Sequence, residues 1–265
     1  MTLKPCVAST TFTPYPPHRA ATLGRWSAPL QWGSMTSRGI VAVGDSITNA
    51  CSEDLSVGGV PSKSWVEWVA LALGESLTVH AKPGASSSEI LALLPAEVPV
   101  ARLGLVFVGV NNIISWRKWR RDDLAADLAA ILDRLGAERK AVMLPPHTLG
   151  RTCAPFPYGP GRKARIRKAR AAIEHVAAEH GATVIESPAF VGDQMWIDGV
   201  HPTSTGHLAM ADAALAALGE PARASDLERE HASLRPDFRQ WRAQAVAKFI
   251  LTQPAHGIST WLLGR

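Results

Sequence analysis

The sequence predicts an α/β domain built on a doubly wound parallel sheet with helices on both faces, and three observations predict it. Short apolar runs alternate with helically patterned stretches from residue 39 to residue 218, and strand followed by helix, repeated, means parallel strands joined by crossover helices. A chain of 265 residues with 46% hydrophobic content is long enough to bury one sizeable core. The unusual residues fall just after the apolar runs, where ligand sites of such sheets lie.

The elements follow in order. Residues 1–38 are rich in Pro, Thr and Ser without sustained periodicity and read as an irregular extension. "GIVAV" (39–43) is the first strand, "SWVEWVALAL" (64–73) a helix with Trp65 and Trp68 on its core face, and "LTVHA" (77–81) the second strand. "LGLVFVGV" (103–110), "AVMLP" (141–145) and "ATVIE" (182–186) supply further strands. "DDLAADLAAILDRL" (122–135), "RKARAAIEHVAAEHG" (167–181) and "HLAMADAALAAL" (207–218) supply helices. Past them, residues 220–265 read as a helical appendage. Leu234, Phe238, Trp241, Ala245 and Phe249 recur at helical spacing there, as expected of an amphipathic helix packed on the main domain, with a membrane-surface or dimer contact as the alternative.

Charge and cysteine content narrow the function classes. The net charge of +5 is concentrated in residues 1–38 and in "RKARIRKAR" (162–170), which holds six bases. Such a patch reads as a solvated face, and no recognition motif supports nucleic-acid binding. Cys6, Cys51 and Cys153 cannot complete a disulfide framework, and the N-terminus lacks a secretory apolar run, so a reducing cytoplasm is the expected compartment. No stretch is long and apolar enough for a membrane-spanning helix. No phosphate loop, dinucleotide fingerprint or zinc spacing is present, so no cofactor or metal is implied. His147, His175, His180 and His207 are scattered and read as surface or satisfied core residues.

The strand ends carry the chemistry. After the first strand comes "GDSITNA", in which Gly44 permits a tight turn and Ser46 stands where a nucleophile and backbone donors can meet. Taken alone, that serine reads first as a turn residue that caps a helix. "WIDGVHPTSTGH" (196–207) places Asp198 and His201 three positions apart, so a carboxylate can hold an imidazole that serves as a base. Taken alone, this is a turn ahead of a helix with Ser204 or Thr205 near its N-cap. "PGASSSE" (83–89) follows the second strand, and Ser86 with Glu89 forms a capping box that starts a helix just after Gly84. "GVNN" (109–112) follows the third.

Together "GDSIT", "PGASS", "GVNN" and "DGVHP" resemble the four blocks of the SGNH, or GDSL-type, hydrolases over roughly residues 39–218. The resemblance implies a three-layer, flavodoxin-like sandwich and a serine esterase or acylhydrolase acting on a small-molecule acyl ester. It implies Ser46 as nucleophile, His201 as general base and then acid, and Asp198 as the carboxylate that orients it. The N–H groups of Ser46 and Gly84 and the side-chain amide of Asn111 would form the oxyanion hole, helped by the positive end of the helix after Gly84. One position departs from the pattern: Asn112 stands where that family commonly has an acid. Asn111 is therefore expected to lack an orienting charge beside it, with altered loop geometry. Trp116, Trp119 and Trp196 lie close in sequence to these blocks and are candidates for the substrate wall. An acyltransferase with the same triad, or a non-catalytic binding module on the same fold, are the alternatives.

Overall fold

A computed structural model of the chain describes residues 39–49, 63–150, 161–196 and 198–228. The three cysteines and the predicted helix around residues 234–249 lie outside these residues. Five parallel strands, β1 (Ile40–Gly44), β2 (Leu77–Ala81), β3 (Ala101–Phe107), β4 (Ala137–Met143) and β5 (Thr183–Ile185), form one sheet in the order β2-β1-β3-β4-β5. This is the doubly wound arrangement expected, with its strand order reversing between β1 and β3.

Every residue of β1 is buried. Since successive side chains of a strand point to opposite faces, both faces of the sheet are covered. The covering helices pack as two groups. One comprises α2 (Trp65–Leu73), α8 (Ser204–Ala217) and α9 (Ala224–Glu228); the other comprises α3 (Ser87–Leu93), α6 (Leu124–Arg134) and α7 (Arg162–Glu179). Trp65 and Trp68 are buried in the core as expected. Helix α9 packs on α8 and α2 with Ala224 buried and Leu227 against the core. The segment just past residue 219 is thus integrated into the domain.

Local signals set the helix starts. Ser64 and Glu67 form a capping box at α2, with the Ser64 N–H donating to Glu67 Oε2 at 2.6 Å. Ser86 and Glu89 do the same at α3, where the Ser86 N–H donates to Glu89 Oε2 at 2.9 Å. Asp123 caps α6 through the Ala126 N–H. At α8 the cap is Thr203, whose hydroxyl accepts the Gly206 N–H at 3.3 Å, one residue ahead of the expected Ser204 or Thr205.

Two readings need correction. The apolar run 103–110 is not all strand: β3 ends at Phe107, and Val110 already opens the short helix α4 (Val110–Ile114), followed by α5 (Trp116–Arg121). The basic run of α7 is not simply a solvated face either. Arg165 and Arg170 are buried: Arg165 Nε donates to the Ile113 carbonyl at 2.6 Å, and Arg170 donates from Nη1 to the Pro145 carbonyl at 2.7 Å and from Nη2 to Glu186 Oε2 at 2.5 Å. The first of these bonds ties α7 to the last turn region of α4. Burying a guanidinium is tolerated because its fixed fork of donors finds acceptors. Among the described residues, no helix is long and apolar enough to cross a membrane.

Candidate active site

Register brings three of the four blocks to one level of the sheet. Gly44 pairs with Ala81 of β2 and with Phe107 of β3, so the segments that follow these strands leave the same edge side by side. The Lys82 N–H donates to the Gly44 carbonyl at 3.2 Å, which fastens the Gly84 turn to the serine turn. Gly44 must lack a side chain: a Cβ there would collide with the Thr48 hydroxyl and stand 2.7 Å from the Phe107 carbonyl oxygen. Gly84 has a φ of +73° and sits in the turn closed by the Ala85 N–H on Lys82 O.

Ser46 opens α1 (Ser46–Asn49). The turn commits the N–H groups of Thr48 and Asn49 to the Asp45 carbonyl and that of Ile47 to Asp45 Oδ1 at 3.0 Å. No group among the described residues accepts from the Ser46 N–H. The Ser46 hydroxyl lies 2.9 Å from His201 Nε2. On the other side of the ring, His201 Nδ1 lies 2.7 Å from Asp198 Oδ2. This network assigns the proton to Nδ1, leaving Nε2 as the acceptor from the serine. Asp198 is fixed in turn, because its Oδ1 accepts the N–H groups of Val200 and His201 at 2.8 and 3.0 Å.

The turn that carries the pair is braced from several directions. Trp196 donates its N–H to the His201 carbonyl at 2.8 Å, and the Gly150 N–H donates to Gly199 O. Behind it, α8 docks on α2 through His207, whose Nδ1 accepts the Trp65 N–H at 3.3 Å. Burial pushes the His207 imidazole down to about 3, with a further contribution from His201 nearby. A neutral ring is what an acceptor at a helix N-terminus needs. Of the other histidines singled out in the sequence, His147 is exposed, His175 faces Glu179, and His180 bonds Val176 O and Asp133.

The orientation of Asn111 overturns the expectation drawn from Asn112. The charge that holds it is not its sequence neighbour but Asp45, whose Oδ2 accepts from Asn111 Nδ2 at 3.1 Å. An amide nitrogen carries two hydrogens, so one remains to point elsewhere. Asp45 is fully buried, and desolvation raises its carboxyl to about 6 in spite of these bonds and the nearby His201. Sequence reasoning gave Asp45 no role, although it stands inside "GDS". Asn112 faces away into a buried network: its Oδ1 accepts the Ser87 N–H at 3.0 Å, and its Nδ2 donates to Ser87 Oγ and Asp122 Oδ2 at 3.1 and 3.2 Å. The N–H groups of the N-cap Ser86 and of Ser87, the first residue of α3, are therefore committed to Glu89 and Asn112.

The three tryptophans separate. Trp196 is half-buried and bonded to the His201 turn. Trp119 packs partly buried against the core. Trp116 is 52% exposed with the Arg120 guanidinium 4.7 Å from its ring centre.

Residues 42–209 match the GDSL-like Lipase/Acylhydrolase family. The chain belongs to that family. It is therefore classed with the carboxylic ester hydrolases. No curated protein sequence matches it. Among solved structures it is similar to LAE5, an alpha/beta hydrolase enzyme from the metagenome of Lake Arreo, Spain, at 19% identity and a TM-score of 0.50, covering 70% of this chain and 97% of that one. It is also similar to Axe2, an acetylxylan esterase from Geobacillus stearothermophilus, at 16% identity and a TM-score of 0.48, covering 69% and 95%.

Proposed function

We propose that this family member hydrolyses a small-molecule acyl ester through an acyl-enzyme on Ser46. The observation that carries the reading is the unbroken line from Ser46 Oγ through His201 to Asp198, at 2.9 and 2.7 Å. His201 Nε2 takes the hydroxyl proton as Oγ attacks the ester carbonyl, and Asp198 steadies the imidazolium that forms. The same nitrogen returns the proton to the departing alcohol. A water molecule, deprotonated by His201, then attacks the acyl-serine and releases the acid and the free hydroxyl.

The tetrahedral oxygen carries negative charge in both steps. The N–H groups of Ser46 and Gly84 and the second hydrogen of Asn111 Nδ2 are its proposed donors, each worth on the order of 10²- to 10³-fold in turnover. Trp196, tied to the His201 turn, is the favoured wall for the substrate; Trp119 and Trp116 stand farther down the claim, one packed on the core and the other under Arg120.

The test is hydrolysis of a short-chain p-nitrophenyl ester. Ser46→Ala and His201→Ala should each lower kcat by at least ~10³-fold. A Ser46→Ala protein that turns over at the wild-type rate would end the acyl-enzyme reading.

A further inference from the structure

Asn112 is 1% exposed and lies beside the proposed oxyanion donor Asn111. Its bonding has a fixed direction. Ser87 has one hydroxyl proton, and it goes to Asp127 Oδ2 at 2.6 Å. Toward Asn112 the same hydroxyl is therefore an acceptor, and so is the carboxylate of Asp122. Position 112 must then supply two hydrogens from one atom and accept the Ser87 N–H on the other. A primary amide does this, whereas a carboxylate has no hydrogen to give.

The network joins two pieces of chain that approach the site separately. Asn112 belongs to α4, which presents Asn111, and Ser87 is the first residue of α3, three positions beyond Gly84. A second tie runs from α5 to the same turn, since Lys118 Nζ donates to Gly84 O at 2.6 Å and to Glu89 Oε2 at 2.9 Å. The bonds of Asn112 run to Ser87 and Asp122, away from the Ser46–His201–Asp198 line.

We propose that Asn112 is a positioning residue that, with Ser87 and Asp122, sets the spacing between the Gly84 turn and Asn111. Its amide and the Asp122 carboxylate form a matched pair in which position 112 must donate as long as position 122 only accepts. An acid at 112 would bring two carboxylates to the 3.2 Å now spanned by a hydrogen bond, and like charges that close force a proton onto one or push the pair apart. The inference rests on the proposed roles of Gly84 and Asn111.

The experiment is a polarity swap. Asn112→Asp should lower kcat by about 10- to 100-fold with KM changed less than about threefold, because donors are displaced and substrate binding is not. Asp122→Asn should stay within about threefold of wild type, since an amide oxygen at 122 still accepts. The double variant N112D/D122N restores a donor facing an acceptor between 112 and 122, and the Ser87 hydroxyl can turn its proton from Asp127 to the carboxylate at 112. It should return to within about fivefold of wild type, a non-additivity that reports direct coupling. Thermal midpoints, checked to lie above the assay temperature, separate loss of turnover from loss of fold. If N112D does not fold, the double variant decides alone: kcat more than about tenfold below wild type overturns the proposal. So does N112D with wild-type kcat, or a double variant no better than N112D. Labelling of the wild type by a serine-directed fluorophosphonate distinguishes the two layers. Absence of a Ser46 adduct overturns the acyl-enzyme reading, whereas normal labelling with an unresponsive N112D overturns only this one.

Discussion

Two aspartates flank the serine turn, and they are held in opposite ways. Asp198 sits half-buried on a braced turn, where it accepts from two backbone N–H groups and from the His201 ring. Asp45 is fully enclosed, with one backbone N–H and one side-chain amide as its donors, and burial raises its carboxyl to about 6. The first faces a group that gains positive charge during the proposed reaction; the second faces a neutral amide that must only be aimed. At the rim the carboxylate faces the group that becomes charged, while desolvation in the core makes Asp45 costly to ionise and useful as a fixed acceptor.

The largest expected effect lies at the rim. Asp198→Asn presents an amide to His201 Nδ1, which can favour the tautomer with its proton on Nε2 and remove the acceptor that the serine needs. A loss of ~10³- to 10⁴-fold in kcat/KM is expected, with the structure intact. A variant that keeps turnover within about tenfold of wild type would mean that the two aspartates do not differ in the way described.

Much of this was legible in the sequence, for definite reasons. "LTVHA" and the capping boxes at Ser64 and Ser86 are local signals, and the structure follows them. Ser46, Asp198 and His201 were legible because their short segments stand with "PGASS" and "GVNN" in a recognisable order at successive strand ends, whereas each segment alone reads as a cap or a turn. Asp45 was not, since its partner Asn111 lies 66 positions away, and only the register of β1 on β3 brings the two together. Asn112 was misjudged for the same reason: its partners Ser87 and Asp122 are set by how α3 and α4 dock. The short helices α4 and α5 escaped because each is too short for a 3.6-residue period to emerge from "NNIISWRKWRR".

A smaller loss is expected in the core. Asp45→Asn offers one oxygen where two were used, so it can satisfy the Ile47 N–H or Asn111 Nδ2 but not both. If Asn111 loses its anchor, roughly the cost of one oxyanion donor follows, ~10²-fold in kcat. The fall should show in kcat more than in KM, and it should be smaller than that of Asp198→Asn. The reverse order in a side-by-side assay would break the distinction between an acceptor for charge and an acceptor for alignment.

The smallest effect is on stability, and its sign is fixed by linkage. The Asp45 carboxyl has an ordinary value of 3.8 and a folded value of about 6, so between these the folded protein binds the proton more strongly than the unfolded chain. Stability from this group is therefore fully present below about pH 4 and is lost as pH rises through 6. The span corresponds to at most about 3 kcal/mol. Asp45→Asn has no such proton, so its unfolding free energy measured in urea, relative to wild type, should rise by about 2–3 kcal/mol between pH 4 and pH 7.5 whatever the offset between the two proteins. A difference that stays flat or falls with pH would mean that Asp45 ionises as easily inside the protein as outside it. The contrast with Asp198 would then rest on geometry alone, because burial would no longer separate the two carboxylates.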